Sequence, residues 1–286
     1  MLQGKDWNNF FNNIDNKTDL LKLLVMFFTE ESFWKKLNDE TVIMNDRSNT
    51  LKISTDGIEA YFPCNHEEAD SRLILHAIRE DTPVVIISKD TDVFILMLYA
   101  FAKIAPNEDW FMKIDTEKYV SIRKIVNCLG TDICEMLPHF HAVTGCDTTS
   151  YLHGVGKVKV FKKIESQNEL LKLLDGLGNS SRISDNLEEK SKQFVQCVCY
   201  SGRKDEGLVE TRVRLYRKMK VKSSVSLPPD PDSLKYHLFR VNYQLFEWIR
   251  FANAMLEERD LKDSGWKTNQ GQIKPIWFEG NSFFLQ

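Results

Sequence analysis

The sequence predicts an α/β fold, in which a three-layer domain with a mainly parallel sheet is followed by a helical extension. Residues 67–78 and 93–102 carry apolar side chains at helical spacing. Between them, residues 83–88 form a β-branched run that is typical of a buried parallel strand. A helix, a strand and a second helix in this order favour a parallel sheet covered by helices.

The N-terminal segment predicts helices and then short strands. Residues 7–37 read as helical, because 19–28 are apolar on most faces. Residues 41–44 and 51–53 predict two strands separated by a polar turn. We expect the helical part to pack against a sheet.

The remaining chain predicts one more strand and a largely helical C-terminal part. Residues 110–114 predict a strand, and 121–129 and 132–143 predict helices. A polar turn follows, and a proline-rich step at 227–232 precedes a predicted helix over 233–257. We therefore divide the chain into an α/β domain (1–155), a basic helical extension (156–226) and a C-terminal helix with an aromatic tail (227–286).

Composition excludes several classes of protein. With 42% hydrophobic and 28% charged residues, the chain is neither disordered nor collagen-like. Its net charge of -3 is unevenly distributed, since residues 157–222 contain 16 lysines and arginines against 9 acidic residues. Basic and acidic surfaces are therefore segregated along the chain.

The chain is expected to be intracellular, with no membrane partner. Its longest apolar runs, 20–28 and 93–102, are too short to cross a bilayer, and its N-terminus lacks a signal-peptide pattern. The six cysteines include no CxxC pair, which favours buried thiols. A zinc site at Cys197 and Cys199, or at His139 and His141 near Cys146, is an alternative without the usual ligand spacing.

Acidic residues fall where an α/β sheet exposes ligands. Asp90 and Asp92 follow the predicted buried strand, and two carboxylates held close together repel each other unless a cation lies between them. Oxygen ligands suit Mg²⁺ or Mn²⁺, and two such ions can activate water and stabilise a leaving oxygen. Further acids stand at a helix start and in a turn: Glu68, Asp70 and Asp147. The alternative is that all of them are helix-capping, first-turn and turn residues.

Taken in order, these motifs resemble flap endonucleases and XPG-like nucleases of the PIN-like superfamily, over about residues 58–165. The segments concerned are His66-Glu67-Glu68-Ala69-Asp70, Asp90-Thr91-Asp92, Gly145-Cys146-Asp147 and Gly154-Val155-Gly156-Lys157. The resemblance implies that Glu68, Asp90, Asp92 and Asp147 are catalytic metal ligands, with Asp70 a further ligand in a two-metal site. His66 departs from the family pattern, because it stands where the first glutamate is expected.

The glycine-rich step resembles the DNA-binding helix-turn-helix element of the same family. Gly154 and Gly156 would let backbone amides approach a phosphate at a helix N-terminus. Four lysines would extend this contact: Lys157, Lys159, Lys162 and Lys163. The alternative is a solvated lysine face.

The family's first strand and its F-D-G turn are not visible in the sequence, so we expect an N-terminally incomplete PIN-like domain. A lost strand would expose a sheet edge for association with another chain. The C-terminal part resembles animal PIN-like proteins associated with mobile elements.

These observations predict a metal-dependent structure-specific nuclease of the endonuclease or 5′-exonuclease type. DNA is the favoured substrate, which implies a nuclear location. The alternatives are an inactive nucleic-acid-binding or interaction module with the same fold, and an RNA-cleaving PIN enzyme.

Overall fold

The computed structural model describes residues 4–46, 49–203, 205–218 and 227–278. They form two compact units, Met1–Glu68 with Asn253–Leu256 and Ala69–Ala252 with Glu257–Gln286. The core of the second unit combines side chains from all three predicted segments, among them Leu96, Ile164 and Leu245.

The first unit contains short helices and an antiparallel sheet. Its elements are α1 (Gly4–Phe11), α2 (Ile14–Thr29), α3 (Glu31–Trp34), β1 (Val42–Asp46), β2 (Asn49–Ser54) and β3 (Gly57–Ala60). The strands pair in the order β1-β2-β3. The predicted helices and strands of this region are confirmed, and β3 follows the turn at Gly57.

Residues 253–256 join the first unit through backbone and side-chain hydrogen bonds. The Asn65 side chain donates to the Leu256 carbonyl at 2.8 Å and accepts from its N–H at 2.6 Å. His66 is fully buried, with Nε2 2.6 Å from the Asn253 carbonyl. His66 therefore helps to hold residues 253–256 within the first unit.

The second unit holds the remaining elements. They are α4 (Ala69–Ala77), β4 (Val84–Ile87), α5 (Thr91–Ile104), β5 (Trp110–Asp115), β6 (Lys118–Ser121), α6 (Ile122–Leu129), α7 (Thr131–Thr144), α8 (Lys157–Ser166), α9 (Asp185–Phe194), α10 (Leu208–Lys218), α11 (Pro231–Trp248), β7 (Trp266–Asn269) and β8 (Gln272–Pro275). Asn168–Leu174 is a 3₁₀ helix and Val195–Cys199 is a π-helix.

The sheet that positions the acidic residues has the order β4-β5-β6. β4 pairs parallel with β5, as predicted, and α5 forms the crossover between them. β6 pairs antiparallel with β5, because only Thr116 and Glu117 separate the two strands and a parallel connection needs a long crossover. The protein is thus a mixed α/β structure, and within the described sheet the expectation of mainly parallel pairing is not met.

β4 is the terminal strand of that sheet and is buried on one face only. Ile86 is 5% exposed, whereas Val85 and Ile87 are 49% and 75% exposed. Successive side chains of a strand point to opposite faces, so one covered face produces this alternation. The prediction of a buried strand therefore holds for one face of β4 and not for the other. Association through this edge stays a prediction.

Helix α5 forms the centre of the second unit. Its residues from Ile95 to Ala102 are all buried, and they belong to the same hydrophobic core as apolar side chains of α7 and α11. Helix α11 begins after Asp230, whose side chain accepts a hydrogen bond from the Ser233 N–H at 2.9 Å. It ends at Trp248 and not at the predicted residue 257, and residues 253–256 belong to the first unit.

Within the described ranges, no helix combines the length and the hydropathy needed to cross a lipid bilayer.

Candidate metal centre

Asp90 and Asp92 lie at the junction between β4 and α5. The Asp90 N–H donates to Ser88 Oγ at 3.0 Å, which shapes the turn after the strand. Asp90 Oδ1 accepts the Asp92 N–H at 2.8 Å, so Asp90 is the N-cap of α5. The helix-capping interpretation of Asp90 is therefore confirmed.

Asp70 joins this pair from the first turn of α4. One carboxylate oxygen from each of Asp70, Asp90 and Asp92 can be chosen so that all lie within 4.8 Å of one another. Asp70 is half-buried and Asp90 is exposed, while 13% of the Asp92 side chain is accessible. A cation held by these three carboxylates would offset the repulsion among their like charges.

His141 of α7 holds the Asp92 carboxylate. Its Nε2 lies 2.7 Å from Asp92 Oδ1, and its ring stacks on Trp248 with centroids 6.1 Å apart. The imidazole is 4% exposed. Because packing fixes the ring, the ring fixes the rotamer of Asp92.

Lys157 contacts the other side of the same imidazole. Its Nζ lies 3.0 Å from His141 Nδ1. An ammonium group can only donate, so Nδ1 accepts and Nε2 carries the proton that it donates to Asp92. Burial lowers the pKa of Lys157, and the nearby groups Cys146, Asp92 and Asp147 oppose that shift. Lys157, His141 and Asp92 thus form a chain of three residues joined by two contacts.

The other two predicted acidic ligands are placed differently. Asp147 is exposed in the turn after α7 and acts on the Lys157 charge. Its carboxylate is not part of the cluster formed by Asp70, Asp90 and Asp92 within the described residues. Glu68 is half-buried in the first unit. Roles of Glu68 and Asp147 as ligands stay predictions.

The predicted phosphate-binding segment, Gly154 to Lys157, lies at the start of α8, which begins directly after Gly156. Gly154 has a φ of +72°, a conformation that glycine adopts readily. Lys159 and Lys162 are exposed, whereas Lys163 Nζ donates to the Cys197 carbonyl at 2.7 Å. Two of the four lysines are therefore oriented toward solvent, and the contact of this element with DNA stays a prediction.

The zinc alternative finds no support in the described residues. Asp70, Asp90 and Asp92 are the one group of potential ligands there with the spacing of a metal site. His139 Nε2 lies 3.2 Å from the Leu177 carbonyl, and His141 is engaged by Asp92. Burial raises the pKa of Cys199 to about 12, which keeps its thiol protonated.

Sequence reasoning missed the link between His141 and Asp92. The two residues are 49 positions apart, and His141 stood out only as a zinc candidate beside His139. The available signal was that His141 is a polar residue among apolar neighbours in α7, namely Phe140, Ala142 and Val143.

No protein-family model, no curated protein and no solved structure matches this chain.

Proposed function

We propose that this protein hydrolyses phosphodiester bonds in nucleic acid with the help of Mg²⁺ or Mn²⁺ held by Asp70, Asp90 and Asp92. The observation that supports the proposal is the convergence of three carboxylates within 4.8 Å at the carboxyl end of a parallel strand. In open α/β sheets this edge is where ligands bind.

The donor set fits a small hard cation. All three donors are oxygens, which Mg²⁺ and Mn²⁺ prefer, and the set contains no thiolate or imidazole ligand that would select zinc. His141 contacts one oxygen of Asp92, as outer groups commonly do for metal-binding carboxylates. Asp90 remains in place through its hydrogen bond to the Asp92 N–H.

The cation and the residues around the cluster have distinct roles in this proposal. A divalent cation would supply Lewis-acid activation of water and stabilisation of the leaving oxygen. His141 orients Asp92, and Lys157 holds the imidazole in the tautomer that donates to it. Exposed Lys159 and Lys162 on α8 would contact backbone phosphates. No serine or cysteine nucleophile is required.

A structure-specific nuclease with two metal ions needs further ligands beyond this cluster. Asp147 and Glu68 are the proposed additional acids, and DNA is proposed ahead of RNA as the substrate. The resemblance to flap endonucleases supports this extension of the proposal, together with the acidic charge of Asp147 near Lys157.

The test is cleavage of labelled flap DNA and of single-stranded RNA in the presence of Mn²⁺. We expect the wild type to cleave the DNA and the double variant Asp90→Asn, Asp92→Asn to lose activity. Asparagine is as good an N-cap as aspartate, so α5 keeps its start while the cluster loses two negative charges. Thermal unfolding of the variant checks the fold.

Asp132→Asn is the matched control, because Asp132 is an exposed first-turn acid on α7 outside the cluster. It should leave cleavage unchanged. A folded wild type that cuts neither substrate contradicts the proposal, and equal activity of wild type and double variant contradicts the assignment of the site.

A second candidate is a nucleic-acid-binding module without catalytic activity. It is favoured by Asp90 acting as a helix cap, a role that needs no metal. Binding of labelled DNA that weakens steeply with salt, without cleavage in Mn²⁺, would support it.

A further inference from the structure

A cavity of about 350 Å³ lies in the second unit, away from the three aspartates. Its wall combines the segment after the Asp147 turn, the start of α11 and the chain following β8. The residues that matter for its chemistry are Ser150, Tyr151, Arg212, Asp230, Arg240 and Trp277. The volume lies in the range of pockets that hold small organic ligands.

Arg240 places a buried positive charge at this cavity. It is 3% exposed, and its guanidinium donates to the Ile276 carbonyl at 3.1 Å, to Ser150 Oγ at 3.2 Å and to the Gly265 carbonyl at 3.4 Å. No described carboxylate lies within ion-pair distance of it. Buried charges are ordinarily paired, so neutral acceptors leave a site suited to an anion.

The remaining charges do not cancel that of Arg240. Asp230 also lines the cavity and keeps its negative charge, since its oxygens accept from the neutral Ser233 N–H at 2.9 Å and Ser233 Oγ at 2.6 Å, and this charge acts on Arg212. Arg212, which donates to the Pro228 carbonyl, is a second cation in the wall. His237 is neutral at pH 7, since burial lowers its pKa to about 4. Among the described lining residues, two arginines therefore stand against one carboxylate, which leaves a net positive charge.

Aromatic rings flank the charged wall. Trp277 is 61% exposed, and the Arg240 guanidinium lies 5.1 Å from the centroid of its ring. Tyr151 is 69% exposed. Exposed aromatic faces beside arginines are the arrangement by which proteins stack the bases of single-stranded nucleic acid and contact their phosphates.

We propose that this cavity binds a nucleotide, with the phosphate toward Arg240 and the base against Trp277. The nucleotide could be a free nucleoside monophosphate or one unit of a single strand, because both present the same chemistry. The guanidinium fork suits phosphate oxygens, and the aromatic rings favour a planar base.

Tyr151 also connects the cavity with the candidate metal centre. Lys157 Nζ lies 5.9 Å from the Tyr151 ring, and the same amine contacts His141. A strand held in the cavity would therefore continue toward the aspartates. This placement rests on the proposed phosphodiesterase function, whereas nucleotide binding itself does not.

The test is isothermal titration calorimetry in EDTA, so that no metal contributes. The full-length protein is titrated with adenosine monophosphate, adenosine, inorganic phosphate and a five-nucleotide oligodeoxyadenylate. We expect the monophosphate to bind more tightly than adenosine or phosphate alone. A tighter oligonucleotide supports a strand as the natural ligand, and equal affinity supports the free nucleotide.

Trp277→Ala is the main variant, because the side chain is largely exposed and its removal leaves the core intact. It should weaken binding by roughly 5- to 100-fold, the range of stacking on one base. Arg240→Gln, checked by circular dichroism, should weaken binding of the monophosphate more than that of adenosine. Trp7→Ala removes an exposed tryptophan from the first unit and should bind like the wild type.

Absence of saturable binding to the folded wild type overturns the inference, as does unchanged affinity of Trp277→Ala. If the folded wild type cleaves nucleic acid with Mn²⁺ but does not bind the nucleotide, the inference about the cavity is rejected and the nuclease proposal is kept. Nucleotide binding without cleavage would support the inference about the cavity and contradict the nuclease proposal.

Discussion

At the scale of single residues, His141 is the side chain that links the acidic cluster to the rest of the protein. It is engaged at Nε2 by Asp92 and at Nδ1 by Lys157, and Trp248 covers its ring. Groups that orient a metal-binding carboxylate commonly change metal affinity when they are removed. His141 is thus a positioning residue in the proposed site.

We expect His141→Gln to lower the affinity for Mn²⁺ by about 10- to 100-fold, since Asp92 loses the group that fixes its rotamer. Titration calorimetry with Mn²⁺ measures this change, and thermal unfolding shows whether the variant is folded. His153→Gln is the control, because His153 is exposed. Equal Mn²⁺ affinity of wild type and His141→Gln would reject the positioning role.

At the scale of elements, the end of α7 sets the position of the turn that carries Asp147. Gly145 has a φ of +111°, and a Cβ added there would lie 2.6 Å from Tyr151 Cδ1 and 2.8 Å from Tyr151 Cα. The second atom belongs to the backbone and cannot rotate away. The close approach of α7 to residue 151 therefore depends on the absence of a side chain at Gly145.

Comparing Gly145→Ala with Gly130→Ala separates the clash from the backbone conformation. Gly130, at the end of α6, has a φ of +86° and no atom within 4 Å of an added Cβ. We expect Gly130→Ala to lower the free energy of unfolding by on the order of 1 kcal/mol, from the strained φ alone. Gly145→Ala should cost about 1–3 kcal/mol more, because the turn or Tyr151 must move.

Urea unfolding of the two variants measures these free energies. Similar losses in both would show that the turn after α7 yields easily, which would contradict the proposed rigidity. A loss confined to Gly145→Ala would show that the backbone conformation itself costs little.

At the scale of the whole molecule, two buried histidines connect stability with pH. His139 and His237 each contact a backbone carbonyl through Nε2, and Nδ1 of each has no hydrogen-bond partner among the described residues. Burial lowers the pKa of both to about 4, from an ordinary value of 6.5. The fold therefore holds both rings neutral.

We expect the free energy of unfolding to be highest above pH 6.5 and to decline as the pH falls toward 4. Between these values the unfolded chain binds more protons than the native state, so acid favours unfolding. The loss should be on the order of 2 kcal/mol per histidine. Urea unfolding at pH 7 and at pH 4.5 measures it.

His237→Gln should show a smaller loss between the two pH values, because glutamine can donate to the Val143 carbonyl without titrating. His153→Gln, at an exposed position, should keep the wild-type dependence. An unchanged pH dependence in His237→Gln would exclude this histidine as a cause.

Local features of this protein were predictable because they depend on neighbouring residues. The period of apolar residues in α5, the β-branched run of β4 and the cap at Asp90 all act within one or two turns of chain. The sequence alone thus determined that two aspartates stand at the end of a strand. The proline-rich residues 227–232 likewise predicted a helix boundary, and α11 begins at Pro231, two residues before the predicted start at 233.

Tertiary structure decided which distant residues meet. Asp70 reaches Asp90 and Asp92 only because α4 packs beside α5, and His141 reaches Asp92 across 49 positions of chain. It also decided that one face of β4 is exposed. Such contacts depend on how whole helices and strands pack against one another. The order of residue types along the chain does not specify that packing.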